Sequence, residues 1–241
     1  MTGASRGLGA SIARQLAADG WPVAVNYRSD AAGAAKVVAA VREVGGTAEA
    51  LCADVTDEES VTGLVGQAER LLGGPVEVLV LNATGPQPAV PVEQLTWDAH
   101  LDQLRFFVKS PTLLLRAALP GMKGLGRGRV IQIGSDMFER ALPGMSAYVA
   151  AKGAQLGLTR SWARELGPHG ITVNLVAPGW VPVERHAGAN EEELRAYASE
   201  VPLGRTGSPG DVASTVSFLA SGAAAFITGE RVTVNGGHTI D

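Results

Sequence analysis

The chain has one cysteine, Cys52, in 241 residues. An internal disulfide is therefore excluded, and no His, Cys and carboxylate residues fall at ligand spacing, so no metal site is expected. No apolar run is long enough to span a bilayer, and no basic start leads into an apolar stretch of the signal-peptide kind. The expected compartment is the cytoplasm, with no membrane partner. Clusters of Lys and Arg are missing too, and the formal net charge is −4, which argues against nucleic acid as a partner. Charged residues make up 18% against 46% hydrophobic; that balance excludes a disordered chain, because apolar surface suffices to offset the entropy of ordering. What is abundant is glycine, 31 residues, a sign of tight turns and close backbone approach.

Short runs rich in Val and Ile predict strands at 22–26, 48–53, 76–82, 129–134, 172–177 and 231–235. Between them, apolar residues at helical spacing predict helices at 7–19, 30–44, 58–72, 96–122, 146–166 and 209–220, several opened by Ser, Asp or Thr. Uncharged strands alternating with helices predict an α/β protein with a doubly wound parallel sheet, a Rossmann fold, since right-handed crossovers cover both faces. No linker or repeat marks a second domain, so one domain spans 1–241. The long interruption at about 180–202 reads as a substrate flap carrying a short helix near 191–197.

Three groups of residues carry chemistry. Thr2-Gly3-Ala4-Ser5-Arg6-Gly7-Leu8-Gly9 has glycines at the spacing that lets backbone N–H groups approach a pyrophosphate at a helix N-terminus; an ordinary Gly-rich turn is the plainer alternative. Tyr148 and Lys152, four apart, share one helix face. A cation beside a phenol lowers its pKa, and bringing it from near 10 to near 7 takes about 4 kcal/mol. Tyr148 can then exchange protons at neutral pH, although such a pair is also common on surfaces. Ser135 follows a strand at its carboxyl end, where open parallel sheets bind ligands; it can hold a substrate oxygen, or simply cap a turn.

Together with Asp54-Val55, Asn82-Ala83, Pro178-Gly179 and Val234-Asn235-Gly236-Gly237, these residues resemble the short-chain dehydrogenase/reductase family over essentially the whole chain, most closely its members of the 3-oxoacyl carrier-protein reductase type. The resemblance implies hydride transfer between a nicotinamide cofactor and a small-molecule carbonyl or secondary alcohol. It makes Tyr148 the proton donor or acceptor, Ser135 the orienting hydroxyl, and Lys152 the group that binds the nicotinamide ribose and lowers the pKa of Tyr148. It assigns the pyrophosphate to the glycine loop, the adenine to Asp54 and Val55, the adjacent ribose to Asn82 and Ala83, and the carboxamide to the segment Pro178, Gly179 and Val181. It also implies a homo-oligomer, a tetramer or dimer, for which the outer faces of 112–119 and 155–162 are candidates. NADPH is expected over NADH, because Tyr27-Arg28-Ser29 lacks the acid that would hold a free ribose 2′-hydroxyl, and Arg28 and Arg6 can pair with a 2′-phosphate.

The sequence departs from the family pattern in four places. Phe107 stands where the family has a catalytic asparagine, with Gln103 and Ser110 as the nearest polar substitutes, and Pro111 must break or bend its helix. Leu81 and Thr84 replace the usual asparagine and glycine before Gly85. Val183 replaces a threonine, and Arg185 or His186 beyond it can meet an acidic substrate group or lie in a solvated loop. Finally, the family has a central strand on the order of five residues long before Thr2, where this sequence has Met1 alone. A start set too late is the simplest expectation, since a GTG codon reads as valine internally and as methionine at a start; the alternative is a truncation in which the flanking strands close up or another segment fills the gap. Phe107, Leu81 and Thr84 also keep open a cofactor-binding regulatory or assembly protein with little turnover. His100, His169 and His238 read as surface or structural residues, and Trp21, Trp97 and Trp162 as core; Trp180 is a candidate pocket residue.

Overall fold

A computed structural model describes residues 1–184 and 188–240. The elements run α1 (Gly7–Ala18), β1 (Val23–Tyr27), α2 (Ala31–Glu43), β2 (Ala48–Cys52), α3 (Glu58–Leu72), β3 (Val78–Leu81), α4 (Trp97–Leu104), α5 (Ser110–Leu125), β4 (Gly128–Ile133), α6 (Met137–Arg140), α7 (Ser146–Leu166), β5 (Ile171–Pro178), α8 (Glu191–Glu200), α9 (Pro209–Ala220) and β6 (Arg231–Val234). Strand and helix alternate as the apolar periodicity predicts. Local chemistry sets the boundaries: Asp57 accepts from the Ser60 N–H at the start of α3, and Gly73, at φ 80°, ends it in the left-handed conformation. Ser208 and Asp211 form a reciprocal capping box at α9 with Pro209 behind the cap.

All strand pairs are parallel: β1 with β2, and β3–β4–β5–β6 in order. All eight residues of β5 are buried, as a strand covered on both faces requires. Because successive side chains point to opposite faces, Ile131 of β4 packs with Ile12 and Leu16 of α1 and Val216 and Leu219 of α9. Its neighbour Val130 packs on the other face with Leu64 of α3, Leu114 and Met122 of α5 and Leu166 of α7.

The first four residues join the two parts of the sheet. The Met1 ammonium donates to Ala24 O (3.1 Å), Asn26 N to Met1 O (3.1 Å), Thr2 N to Val80 O (3.1 Å) and Ala4 N to Asn26 O (2.8 Å). The strand order is thus β2–β1–(Met1–Ala4)–β3–β4–β5–β6. At the amino end of this slot, β1 and β3 face one another across a cleft of about 240 Å³ lined by Trp21, Val23, Ala24, Val76, Val78 and Leu114, among others. The strands have neither closed up nor been bridged there by another described segment. β3 is correspondingly short, beginning at Val78 rather than at 76, since Val76 and Glu77 lie along the cleft.

The stretch 96–122 is not one regular helix. A π turn at Arg105–Lys109 joins α4 to α5, and Pro111, in the first turn of α5 where a missing N–H costs least, follows this bend. Trp97 departs from its expected place in the core: it is the first residue of α4, 67% exposed, and stacks on His100. Periodicity cannot separate the two faces of a helix that buries little besides Gln103. Trp21 and Trp162 pack partly buried against the core.

Candidate active site

The glycine loop is built by close approach. Gly3 and Gly7 have φ of +60° and +55°, and a Cβ on Gly9 would lie 2.1 Å from Gly3 O. Only glycine fits these three positions. Among the described residues no side chain caps α1 at Arg6, so the N–H groups of its first turn and its positive dipole end are directed to whatever lies before Gly7, an arrangement suited to an anion. The loop is stitched to the end of β3: Asn82 Nδ2 donates to Thr2 O and Gly3 O, both at 3.0 Å, while Thr2 Oγ1 accepts from Asn82 N (2.9 Å) and Ala83 N (3.1 Å). The Asn82 amide, expected at a ribose, is therefore engaged in holding the loop. Val183 and Glu184, the start of the flap, lie against Gly7, whereas Arg185 and His186 fall outside the described residues.

On the adenine side, Asp54 accepts from Thr56 N (2.8 Å) and Thr56 Oγ1 (2.7 Å). Burial alone would push its carboxyl up, but these bonds and Arg28 outweigh burial and hold it below the usual carboxylate range. Arg28, 67% exposed in its side chain, is 3.8 Å from Asp54; Arg6 and Ser29 are exposed and Val55 is buried. Sequence reading passed over Asp30, which caps α2 by accepting from Gly33 N (2.9 Å). That bond, with Ser5, Arg6 and Lys36 nearby, lowers its pKa. Leu81 is buried in β3, and exposed Thr84 bonds within its own loop.

Ser135 follows β4, its Oγ accepting from Met137 N at 3.2 Å. Tyr148 and Lys152 of α7 are 8% and 5% exposed. Lys152 Nζ donates to Ile133 O (2.8 Å) at the end of β4, two residues before Ser135, and to Gln155 Oε1 (3.1 Å). It also lies 3.8 Å from the centroid of the Phe107 ring, which stands nearly perpendicular to Tyr148 at 5.5 Å. Of the polar substitutes expected near Phe107, Gln103 is turned to Pro86 O (2.9 Å) and Ser110 is buried in α5.

The loop after Ser135 meets the carboxyl end of β5, with Asp136 N donating to Pro178 O (3.0 Å) and Gly179 N to Val234 O (3.1 Å). Val181 is buried. Trp180 N donates to the Tyr197 hydroxyl (2.7 Å), and the two rings meet edge to face, so α8 of the flap is anchored to this segment. A buried polar cluster went unseen in the sequence. Asp136, 2% exposed, accepts from Asn235 Nδ2 (3.3 Å) and lies 3.9 Å from His238 Nδ1. Burial pushes its carboxyl up. His238, read as a surface or structural residue, has a side chain only 9% exposed and lies between Asp136 and Glu200.

A glycine loop before α1, and Tyr148 and Lys152 buried on α7 with the ammonium docked two residues from Ser135, are consistent with an oxidoreductase that uses a nicotinamide cofactor, and the chain belongs to the short-chain dehydrogenase/reductase family. Residues 3–239 match the family model described as enoyl-(acyl carrier protein) reductase. Among its relatives, the 3-oxoacyl-(acyl-carrier-protein) reductase of Staphylococcus aureus is 37% identical, over 98% of this chain and 96% of that one. Its Pseudomonas aeruginosa counterpart is 36% identical, over 98% and 95%. Solved structures agree: a Serratia marcescens short-chain dehydrogenase/reductase variant superposes with TM-score 0.91 at 35% identity, covering 99% of this chain and 96% of that one. A blue fluorescent protein from a metagenomic library, in complex with NADPH, does so at 0.90 and 38%, with the same coverage. No helix among the described residues is long and apolar enough to cross a membrane.

Proposed function

We propose that the chain reduces a ketone to a secondary alcohol with NADPH in preference to NADH, the substrate being a 3-oxoacyl thioester or a ketone of similar form. The observation that carries this reading is the burial of Tyr148 and Lys152 on one face of α7, with the ammonium docked on β4 two residues from Ser135. The cofactor, when bound, supplies a hydride for the carbonyl carbon. Ser135 and Tyr148 hold the carbonyl oxygen by hydrogen bonds, and Tyr148 delivers the proton that oxygen needs as the carbonyl bond is reduced. The nearby Lys152 charge favours the phenolate left behind. Val55, Asn82, Ala83, Pro178, Gly179 and Val181 complete the wall of the cofactor site.

The names of the Staphylococcus and Pseudomonas relatives support the thioester. Exposed Arg28 and Arg6 support NADPH, since each charge-assisted contact to a 2′-phosphate gives about 1.5–3 kcal/mol, together more than tenfold. A homo-oligomer, tetramer or dimer, is part of the proposal: Leu156, Leu158 and Trp162 of α7 are only half-buried, and Phe226 is fully exposed. The test is NADPH consumption by purified protein against 3-oxoacyl thioesters, diketones, sugars and steroids. Tyr148→Phe should lose turnover by roughly a hundredfold or more while still binding NADPH. Tight NADPH binding with no consumption on any substrate would instead support a binding protein with little turnover.

A further inference from the structure

We propose that Phe107 is a positioning residue for Lys152, holding the ammonium by the face of its ring so that the charge stays fixed beside Tyr148. The inference rests on the reading of Lys152 as the charge that assists proton transfer at Tyr148. Lys152 is buried, and its ammonium donates to Ile133 O and Gln155 Oε1. These acceptors fix the ammonium from β4 and α7. The Phe107 ring approaches from the π turn, at 3.8 Å from centroid to Nζ, well inside the roughly 6 Å over which a ring quadrupole attracts a cation. Tyr148 is the titratable neighbour on α7 itself, its ring centroid 5.5 Å from the same Nζ. Phe107 is 3% exposed, and the wide turn at Arg105–Lys109 is the local distortion that places it there, as π turns inside α-helices often do at working sites. One ring thus lies against both members of the Tyr148/Lys152 pair.

The test removes the quadrupole while keeping the shape. Phenylalanine carrying one, two and three ring fluorines is installed at 107 in the full chain. The Lys152 pKa is read by NMR on carbon-13 Cε lysine, which is simple with four lysines in the sequence. It should fall stepwise with fluorination to about one unit below the parent, and Phe107→Leu should fall as far. Phe107→Trp should restore it. Over the same series kcat should fall while KM for the ketone stays constant. A Lys152 pKa that is flat across the fluorinated series overturns the proposal even if activity drops, because the ring would then be packing alone. A flat pKa with full ketone reduction overturns it while sparing the reductase reading. The expected pKa series without turnover on any ketone upholds the ring–ammonium contact and refutes that reading.

Discussion

The cleft beside Met1 gives a prediction that can be worked through in magnitude. The perturbation is an extension of five alternating Val and Leu residues before Met1, positioned to run between β1 and β3. Alternation along the parallel ladders leaves the N–H groups of Ala24 and Val80 and the carbonyls of Pro22 and Val78 facing the cleft, because Val23 N is already given to Thr47 O and β3 turns its other groups to β4. Four new hydrogen bonds contribute about 4 kcal/mol net. Two or three apolar side chains add about 5, and ordering five residues costs about 7, leaving a gain of about 2 kcal/mol. A second, pH-dependent contribution comes from the Met1 ammonium, which burial pushes down from 8.0 to about 6. Between these values the unfolded chain binds a proton that the folded chain refuses, so stability is full above pH 8, falls as the pH drops, and settles below pH 6 at a deficit of about 3 kcal/mol. The extension turns that ammonium into an amide and removes the deficit. Urea unfolding of both chains from below pH 6 to above pH 8 measures the difference: about 2 kcal/mol at high pH, rising to about 5 at low pH. Acetylation of Met1 should recover only the pH-dependent part. A difference that does not grow as the pH falls would refute the buried-ammonium argument, and no difference at any pH would refute the open ladder as well.

Three other outcomes are expected. Gly9→Ala puts a methyl group 2.1 Å from Gly3 O and 2.7 Å from Asn82 Nδ2, so NADPH affinity, measured by fluorescence titration, should fall at least about tenfold. Asn82→Ala removes two amide bonds to loop carbonyls 80 and 79 residues away; thermal unfolding should show a loss of about 1–3 kcal/mol, with cofactor affinity lowered through the loop. Arg28→Ala should cut the ratio of catalytic efficiencies with NADPH and NADH about tenfold, and an unchanged ratio in steady-state kinetics would show that Arg28 has no part in cofactor choice.

The sequence by itself determined the alternation of strands and helices and the glycine loop, because each is written in local spacing; it put Tyr148 and Lys152 on one helix face, while grouping them with Ser135 rested on the family resemblance. Period-2 and period-3.6 patterns lie within a dozen residues, and residues four apart on a helix share a face whatever surrounds them. Helices α3, α7 and α9 begin and end at the predicted residues, and for α3 and α9 the caps of Asp57 and Ser208 are local chemistry of the same kind. Tertiary structure decided the partners of those residues. Asn82 clamps the glycine loop rather than facing outward, Phe107 meets Lys152 from a π turn 45 residues earlier, and Asp136 bonds Asn235 across a separation of 99. It also decided that Trp97 faces solvent, and that Met1–Ala4 joins β1 to β3 and leaves a cleft beyond. Contacts of this kind depend on how each helix is turned and seated on the sheet, which is fixed by the packing of the whole core and has no signature in any one stretch of chain.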